Sequence, residues 1–404
     1  MAVFAVFVFV TMLFVAGMAI DMMRYESERV RMQGATDRAV LAASAVRPNA
    51  PESLTPRQIA EGYLAAGGLD PATYDGRIDV QDSGTGRQVT VAPQSRMPTL
   101  MMHMLGINEL DMSTPARAVE ALGDPPDIEV VMVLDVSGSM SWMTSNGLNR
   151  IANLRIAARD LVEELFVDTE PGQMAVTLVP YDSWVLPPPG FINNFSALPT
   201  NNTGACIDFN DWGSITNTLD SVVTRHSCNT HHWRQIRPYL ASAEAAMPYI
   251  DDLLASTTTS IDLGIRWGAA FFDPDIRPAI QQQIDNGAVD PMFAGRPYDW
   301  DEENIIRVMV VMTDGENCCF GRWDSRSPNR QTQDAQTVEV CQALRQRDVL
   351  IYAVAFEAPQ AGINLMEQCA SSQNHFFNTT GEGIAEVFRG IGSHIQRQRL
   401  RLTL

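Results

Sequence analysis

Positions Met1 to Ile20 carry no charge, and only Thr11 and Gly17 interrupt a run of Phe, Val, Leu, Met and Ala. A helix of that length rises about 30 Å, the thickness of a bilayer's hydrocarbon core, so the pattern predicts one transmembrane anchor over 1–20. Asp21-Met22-Met23-Arg24-Tyr25 follows directly. A secretory signal instead starts on basic residues and ends in small ones. Helix formers continue without proline to about Ala45, polar first and Ala-rich later, until Pro48 and Pro51 stop them. A small α+β region completes 21–123, with a helix expected over Pro56–Ala66, short strands at Arg77–Val80 and Arg87–Ala92, and an extended stretch over Leu110–Ala121.

Asp124-Pro125-Pro126 marks a boundary, and the pattern then changes. Ile128–Leu134 is apolar on both faces apart from Glu129, and the same signature returns at Met174–Val179, Val308–Met312 and Val349–Phe356. Such strands belong to parallel sheets covered on both sides. Helical periodicity alternates with them at Asn149–Phe166, Ser260–Phe272, Thr332–Arg347 and Gly383–Arg397. Alternation of this kind predicts an α/β domain over 124–404 with a doubly wound, mainly parallel sheet. From Asp182 to Ser256, Pro, Asn, Thr and aromatic residues break the rhythm, which reads as a large insertion at about 182–256 on one edge of the sheet.

Charge narrows the partners. Twenty-nine basic residues, none of them lysine, stand against 48 acidic ones, a net charge of −19. A phosphate backbone would repel such a chain, so nucleic acid is excluded as a partner. The orientation of the anchor is contested. Arg24, Arg29, Arg31 and Arg38 follow the span, which by the positive-inside rule places the bulk in the cytoplasm. Six cysteines, an even number, favour an oxidising compartment.

The candidate chemistry lies at the ends of the buried strands. Asp135-Val136-Ser137-Gly138-Ser139 places oxygen-bearing side chains at alternate positions just after the first strand. Thr313-Asp314-Gly315 follows another strand, and Thr259-Ser260 opens a helix between them. In an open α/β sheet these loops meet above the carboxyl ends of the strands. Oxygen donors without thiol or imidazole suit Mg²⁺, Mn²⁺ or Ca²⁺ rather than zinc. Catalysis has little support, since Ser137 and Ser139 lie outside a Gly-x-Ser-x-Gly elbow and no His is placed by sequence to activate them. Glu163-Glu164 and Asp251-Asp252 read as solvated helix faces.

These segments resemble the metal-ion-dependent adhesion site of von Willebrand factor A domains, Asp-x-Ser-x-Ser with a later Thr and a later Asp. The resemblance, covering roughly 127–397, implies that Asp135, Ser137, Ser139, Thr259 and Asp314 hold a divalent cation, Mg²⁺ first, to which a partner protein offers an acidic group. The N-terminal part resembles TadG-like pilus-assembly proteins of the Tad (Flp pilus) system. It carries Asp21 after the span, then Gln33-Gly34-Ala35-Thr36-Asp37-Arg38-Ala39, with Ile391-Gly392 and Arg399–Leu402 near the end. That family usually has a basic stretch before the span, so a truncated or processed start, or orientation set by other means, is expected here. The resemblance implies a single-pass inner-membrane anchor with the bulk in the periplasm, and a non-enzymatic role in pilus assembly. Two other roles fit the same site: a tethered adhesin without a pilus role, and a partner subunit of an AAA+ ATPase, which requires a cytosolic domain.

Cys206, His226, Cys228, His231 and His232 cluster within the insertion but match no common zinc spacing. A Cys206–Cys228 disulfide pinning the loop is the favoured reading. Cys341 and Cys369 sit on consecutive helical segments around a core strand, which makes them a reasonable disulfide pair, and TadG-like chains tend to carry cysteines at both places. Cys318 and Cys319 remain open between a vicinal bond, two thiols and exchange with other cysteines.

Overall fold

The computed structural model describes residues 2–45, 54–83, 86–120, 126–198, 204–318 and 329–402. The chain divides into two compact units at Asp124 and Pro125.

In the first unit, α1 (Ala2–Ser44) is one unbroken helix of 43 residues. Its apolar start is exposed, and within the described residues it is the one helix long and apolar enough to cross a membrane. Farther along, Met32, Ala35, Ala39, Val40 and Ala43 are buried. The small alanine stripe lets α2 (Pro56–Ala66) approach closely, and Ala60 and Leu64 of α2 complete the contact. Thr55 starts α2 through a capping box with Gln58, and Pro56 takes the first turn, where its missing N–H costs nothing. β1 (Ile78–Ser83) and β2 (Gly86–Val91) pair antiparallel. β3 (Gln94–Pro98) forms a hairpin with β4 (Glu109–Ser113), and β5 (Ala116–Glu120) returns to β2. The expected extended stretch over 110–121 is thus two strands in two different sheets, broken at Thr114-Pro115. Pro48, Pro51, Asp124 and Pro125 lie outside the described residues.

The second unit runs β6 (Asp127–Asp135), α3 (Arg150–Leu165), β7 (Met174–Tyr181), β8 (Cys206–Phe209), β9 (Val223–His226), β10 (Arg237–Leu240) and α4 (Ala243–Asp251). It continues with α5 (Ile261–Ala270), α6 (Arg277–Asp285), β11 (Ile305–Thr313), α7 (Arg330–Arg345), β12 (Leu350–Phe356), α8 (Gln360–Cys369), β13 (Phe376–Thr379) and α9 (Gly383–Leu402). Among the described residues its main sheet has the order β10-β7-β6-β11-β12-β13. Only the edge strand β10 is antiparallel to its neighbour. Alternate residues of β6 face opposite ways: Ile128, Val130, Met132 and Leu134 pack with α3, α4 and α9, while Val131 and Val133 pack with α5, α7 and α8. Coverage on both faces is why these strands read as continuous apolar runs.

The stretch 182–256 is divided. Its middle forms the separate β8–β9 hairpin, whereas β10 and α4 belong to the sheet and its covering layer. A Cys206–Cys228 disulfide ties the start of β8 to the residues just beyond β9, and a Cys341–Cys369 disulfide joins α7 to α8. Cys318 is half-buried, and Cys319 lies outside the described residues.

Candidate metal centre

The central strands β6 and β11 lie side by side, with the chain winding outward in opposite directions from them. That reversal opens a crevice at the carboxyl ends of the two strands. Asp135 ends β6, and Asp314 directly follows the last residue of β11. The topology alone therefore delivers both acids to one place.

Both are buried. Asp135 Oδ1 accepts from the Ser137 N–H at 2.8 Å. Its Oδ2 accepts from Thr313 Oγ1 at 2.8 Å and from the Tyr181 phenol at 3.3 Å. Ser137 and Ser139 place their hydroxyl oxygens 3.1 Å apart, and Ser139 Oγ donates to Asp314 Oδ1 at 2.6 Å. Thr259 is also buried, and its carbonyl accepts from the Cys318 N–H at 2.9 Å. A Cβ placed on Gly315 would stand 3.5 Å from Thr259 Oγ1 and 4.0 Å from Ser139 Oγ, so the Thr259 hydroxyl faces the same turn. Backbone N–H groups sew the loops together: the Gly138 N–H donates to the Thr257 carbonyl at 2.9 Å, and the Ile261 N–H donates to the Asn317 side-chain Oδ1 at 2.8 Å.

The five residues singled out in the sequence thus converge from three loops. Four others also shape the crevice. Arg150, in the first turn of α3, donates from Nη1 to Asp314 Oδ2 at 2.9 Å, while its guanidinium lies 5.1 Å from the centre of the exposed Trp142 ring. Thr313 and Tyr181 orient Asp135 from the far side. Asp182, just past β7, is buried and paired with Arg234. The Thr313-Asp314 sequence held a signal for Thr313; Arg150 carried none, since nothing local marks it as a partner of a residue 164 positions away.

Burial, and then the negative charge of Asp314 beside it, raises the Asp135 carboxyl to about 7. Burial also raises Asp314, against the opposing pull of Arg150 and Ser139. The Tyr181 phenol, buried beside these acids, is held well above its ordinary value and stays a donor. Of the two acids, Asp314 is the one paired with the Arg150 guanidinium. Among the described residues there is no group of three or more His, Cys, Asp and Glu side chains placed to hold a metal. The donor set here is of another kind, two carboxylates with three hydroxyls.

Two glycines set the close packing around the site. A Cβ on Gly264 of α5 would meet the Tyr181 ring at 2.7 Å, so only glycine lets α5 lie this close to the sheet. A Cβ on Gly362 of α8 would stand 2.0 Å from the Gly315 carbonyl oxygen. Gly362→Ala must therefore displace the Asp314-Gly315 turn or α8, at about 2 kcal/mol by the usual cost of overpacking. Thermal denaturation should show a fall of several degrees, and an unchanged midpoint would mean that the turn yields freely.

Residues 1–46 match the family model described as putative Flp pilus-assembly TadE/G-like. The chain resembles that family there. No curated protein matches it in sequence. Solved structures superpose on it at low identity. The von Willebrand domain of the type V pili tip protein Mfa5 from Porphyromonas gingivalis is 11% identical over 68% of this chain and 97% of that one, with a TM-score of 0.38. The pilus adhesin SpaC from Lactobacillus rhamnosus GG is 10% identical over 81% and 34%, with a TM-score of 0.39. Proximal thread matrix protein 1 from the mussel byssus is 13% identical over 66% of this chain, with a TM-score of 0.34, and the match spans 45% of the mussel protein.

Proposed function

We propose that this chain is a membrane-anchored, non-enzymatic component of Tad/Flp pilus assembly. Its crevice holds a divalent cation, Mg²⁺ first, through Asp135, Ser137, Ser139, Thr259 and Asp314. The observation that carries the reading is the convergence of two buried carboxylates and three hydroxyls from three loops at one end of the sheet. Hard oxygen donors of this kind suit Mg²⁺, Mn²⁺ or Ca²⁺. When bound, the cation supplies a Lewis-acidic point that a carboxylate from a partner protein can share. The chain itself orients the ligands: Thr313, Tyr181 and the Ser137 N–H fix Asp135, and Ser139 fixes Asp314. The match of residues 1–46 supports the pilus role, and the apolar start of α1 supports the anchor. Two disulfides support an oxidising compartment, and hence an inner-membrane protein with its bulk in the periplasm.

Deletion should reduce Flp-type pili and surface attachment, and Asp135→Asn at normal protein level should reproduce much of that loss. A strain with normal pili that fails to bind one surface would favour an adhesin instead. Normal pili with normal attachment would overturn both. A reporter active only outside the cytoplasm, fused after the last residue, should give signal; silence would remove the periplasmic placement.

A further inference from the structure

Apart from the exposed His103, the β3–β4 hairpin is apolar at its tip, and it is charged behind it. Leu100, Met104, Leu105 and Ile107 of the connecting loop are 55%, 60%, 54% and 40% exposed. Behind them, Arg96 pairs with Asp111 at 3.0 Å and approaches Glu109 at 4.0 Å, all three exposed to solvent. The loop is rigidly closed, because Thr99 Oγ1 donates to the Ile107 carbonyl at 2.6 Å and the Thr99 N–H to the Asn108 carbonyl at 3.0 Å.

This tip is fastened to α1 at one level. Asp21, fully buried, accepts from the backbone N–H groups of Leu100, Met101 and Met102, each at 2.8 Å. One turn earlier, Met101 lies against Gly17 so closely that a Cβ there would stand 2.8 Å from the Met101 side chain. Tyr25 then donates to the Asp111 carbonyl at 3.3 Å, farther up the hairpin. The hairpin therefore runs beside α1 and ends where the apolar, exposed segment of the helix begins.

We infer that the tip of the β3–β4 hairpin, carrying Leu100, Met104, Leu105 and Ile107, inserts into the acyl–headgroup boundary of the leaflet at which α1 emerges. The occupant is the lipid bilayer. The inference rests on the reading of residues 1–20 as the anchor, against whose Gly17, and the adjoining Asp21, the loop is packed. Gly17 lies about 5 Å along the helix inside Ile20, which puts the tip at the shallow depth typical of interfacial apolar segments. Asp21 is tolerated at that level because three N–H groups satisfy it. The hairpin thereby braces the helix at the membrane surface with a second, shallow contact.

The test uses the full chain with Cys318→Ser and Cys319→Ser, which leaves both disulfides in place. Nitroxide labels on Leu105→Cys, Phe9→Cys and Val119→Cys are compared in phosphatidylcholine–phosphatidylglycerol vesicles by power saturation with oxygen and with a water-soluble nickel chelate. The Leu105 label should show an oxygen-to-nickel collision ratio several-fold above that of Val119 and below that of Phe9. A Leu105 ratio equal to that of Val119, with Phe9 deep in lipid, overturns the inference while leaving the anchor. Shielding of Leu105 from both reagents means that protein covers the tip, and also overturns it. A Phe9 label open to the nickel chelate overturns the anchor itself and the inference with it.

Discussion

Mg²⁺ should raise the thermal stability of the intact protein, and Asp135→Asn should abolish that rise. With the cation at about a hundred times its dissociation constant, linkage gives about 2.7 kcal/mol, a shift of roughly 5–10 °C for a domain of this size. The substitution keeps an oxygen for the Ser137 N–H but removes one of the two negative charges that would balance the cation. Even partners that touch a metal only through its ligands cost 10–100-fold in affinity, so loss of a charged ligand should exceed about 100-fold. The metal-free variant gains from neutralising one of two mutually repelling buried acids and loses where an amide N–H₂ replaces the oxygen that accepts from Thr313 and Tyr181. Scanning calorimetry with and without Mg²⁺ and isothermal titration decide the matter. A variant that keeps its Mg²⁺ shift would show that the ion binds elsewhere.

What could be read from the sequence follows from where the physics is local. β6, β7, β11 and β12 are buried on both faces, so their apolar runs stand out without reference to any neighbour. β10 is a four-residue edge strand, Arg-Pro-Tyr-Leu, whose place in the sheet depends on pairing with β7 rather than on any pattern of its own. β13 is as short, and α4 hides its helical period behind Pro248. The same division holds at the site. Asp135, Ser137 and Ser139 share one short loop, and Asp314 directly follows an obvious strand, so their meeting at one end of the sheet could be expected from the sequence. Thr259 came from the resemblance, and the position of its hydroxyl beside Gly315 and Ser139 was settled only by the meeting of the loops. Arg150 and Tyr181 gained their roles only through tertiary packing. Both disulfides were readable, because Cys206 and Cys228 bracket one loop and Cys341 and Cys369 sit on consecutive helical segments around β12.

Arg150 supplies the second large effect, opposite in sign for metal-free stability and for Mg²⁺ affinity. Its guanidinium pairs with Asp314 Oδ2 at 2.9 Å, with the arginine side chain 12% exposed and the aspartate side chain fully buried. Without a cation it is the charge that makes Asp314 tolerable in the crevice. With a cation, the same guanidinium competes for the same carboxylate and repels the ion. Arg150→Gln should therefore destabilise the metal-free protein by about 3 kcal/mol, since removing one partner leaves a buried charge uncompensated. It should also tighten Mg²⁺ binding by about tenfold, which corresponds to about 1.4 kcal/mol of competition relieved. The tighter binding enlarges the Mg²⁺-dependent shift in melting temperature beyond that of the parent. Combining Arg150→Gln with Asp314→Asn separates pairing from packing against Trp142: if pairing dominates, the double variant recovers most of the metal-free stability. Weaker Mg²⁺ binding in Arg150→Gln would instead show that the arginine supports the ligand geometry of Asp314, and that it does not act as a tethered stand-in for the cation.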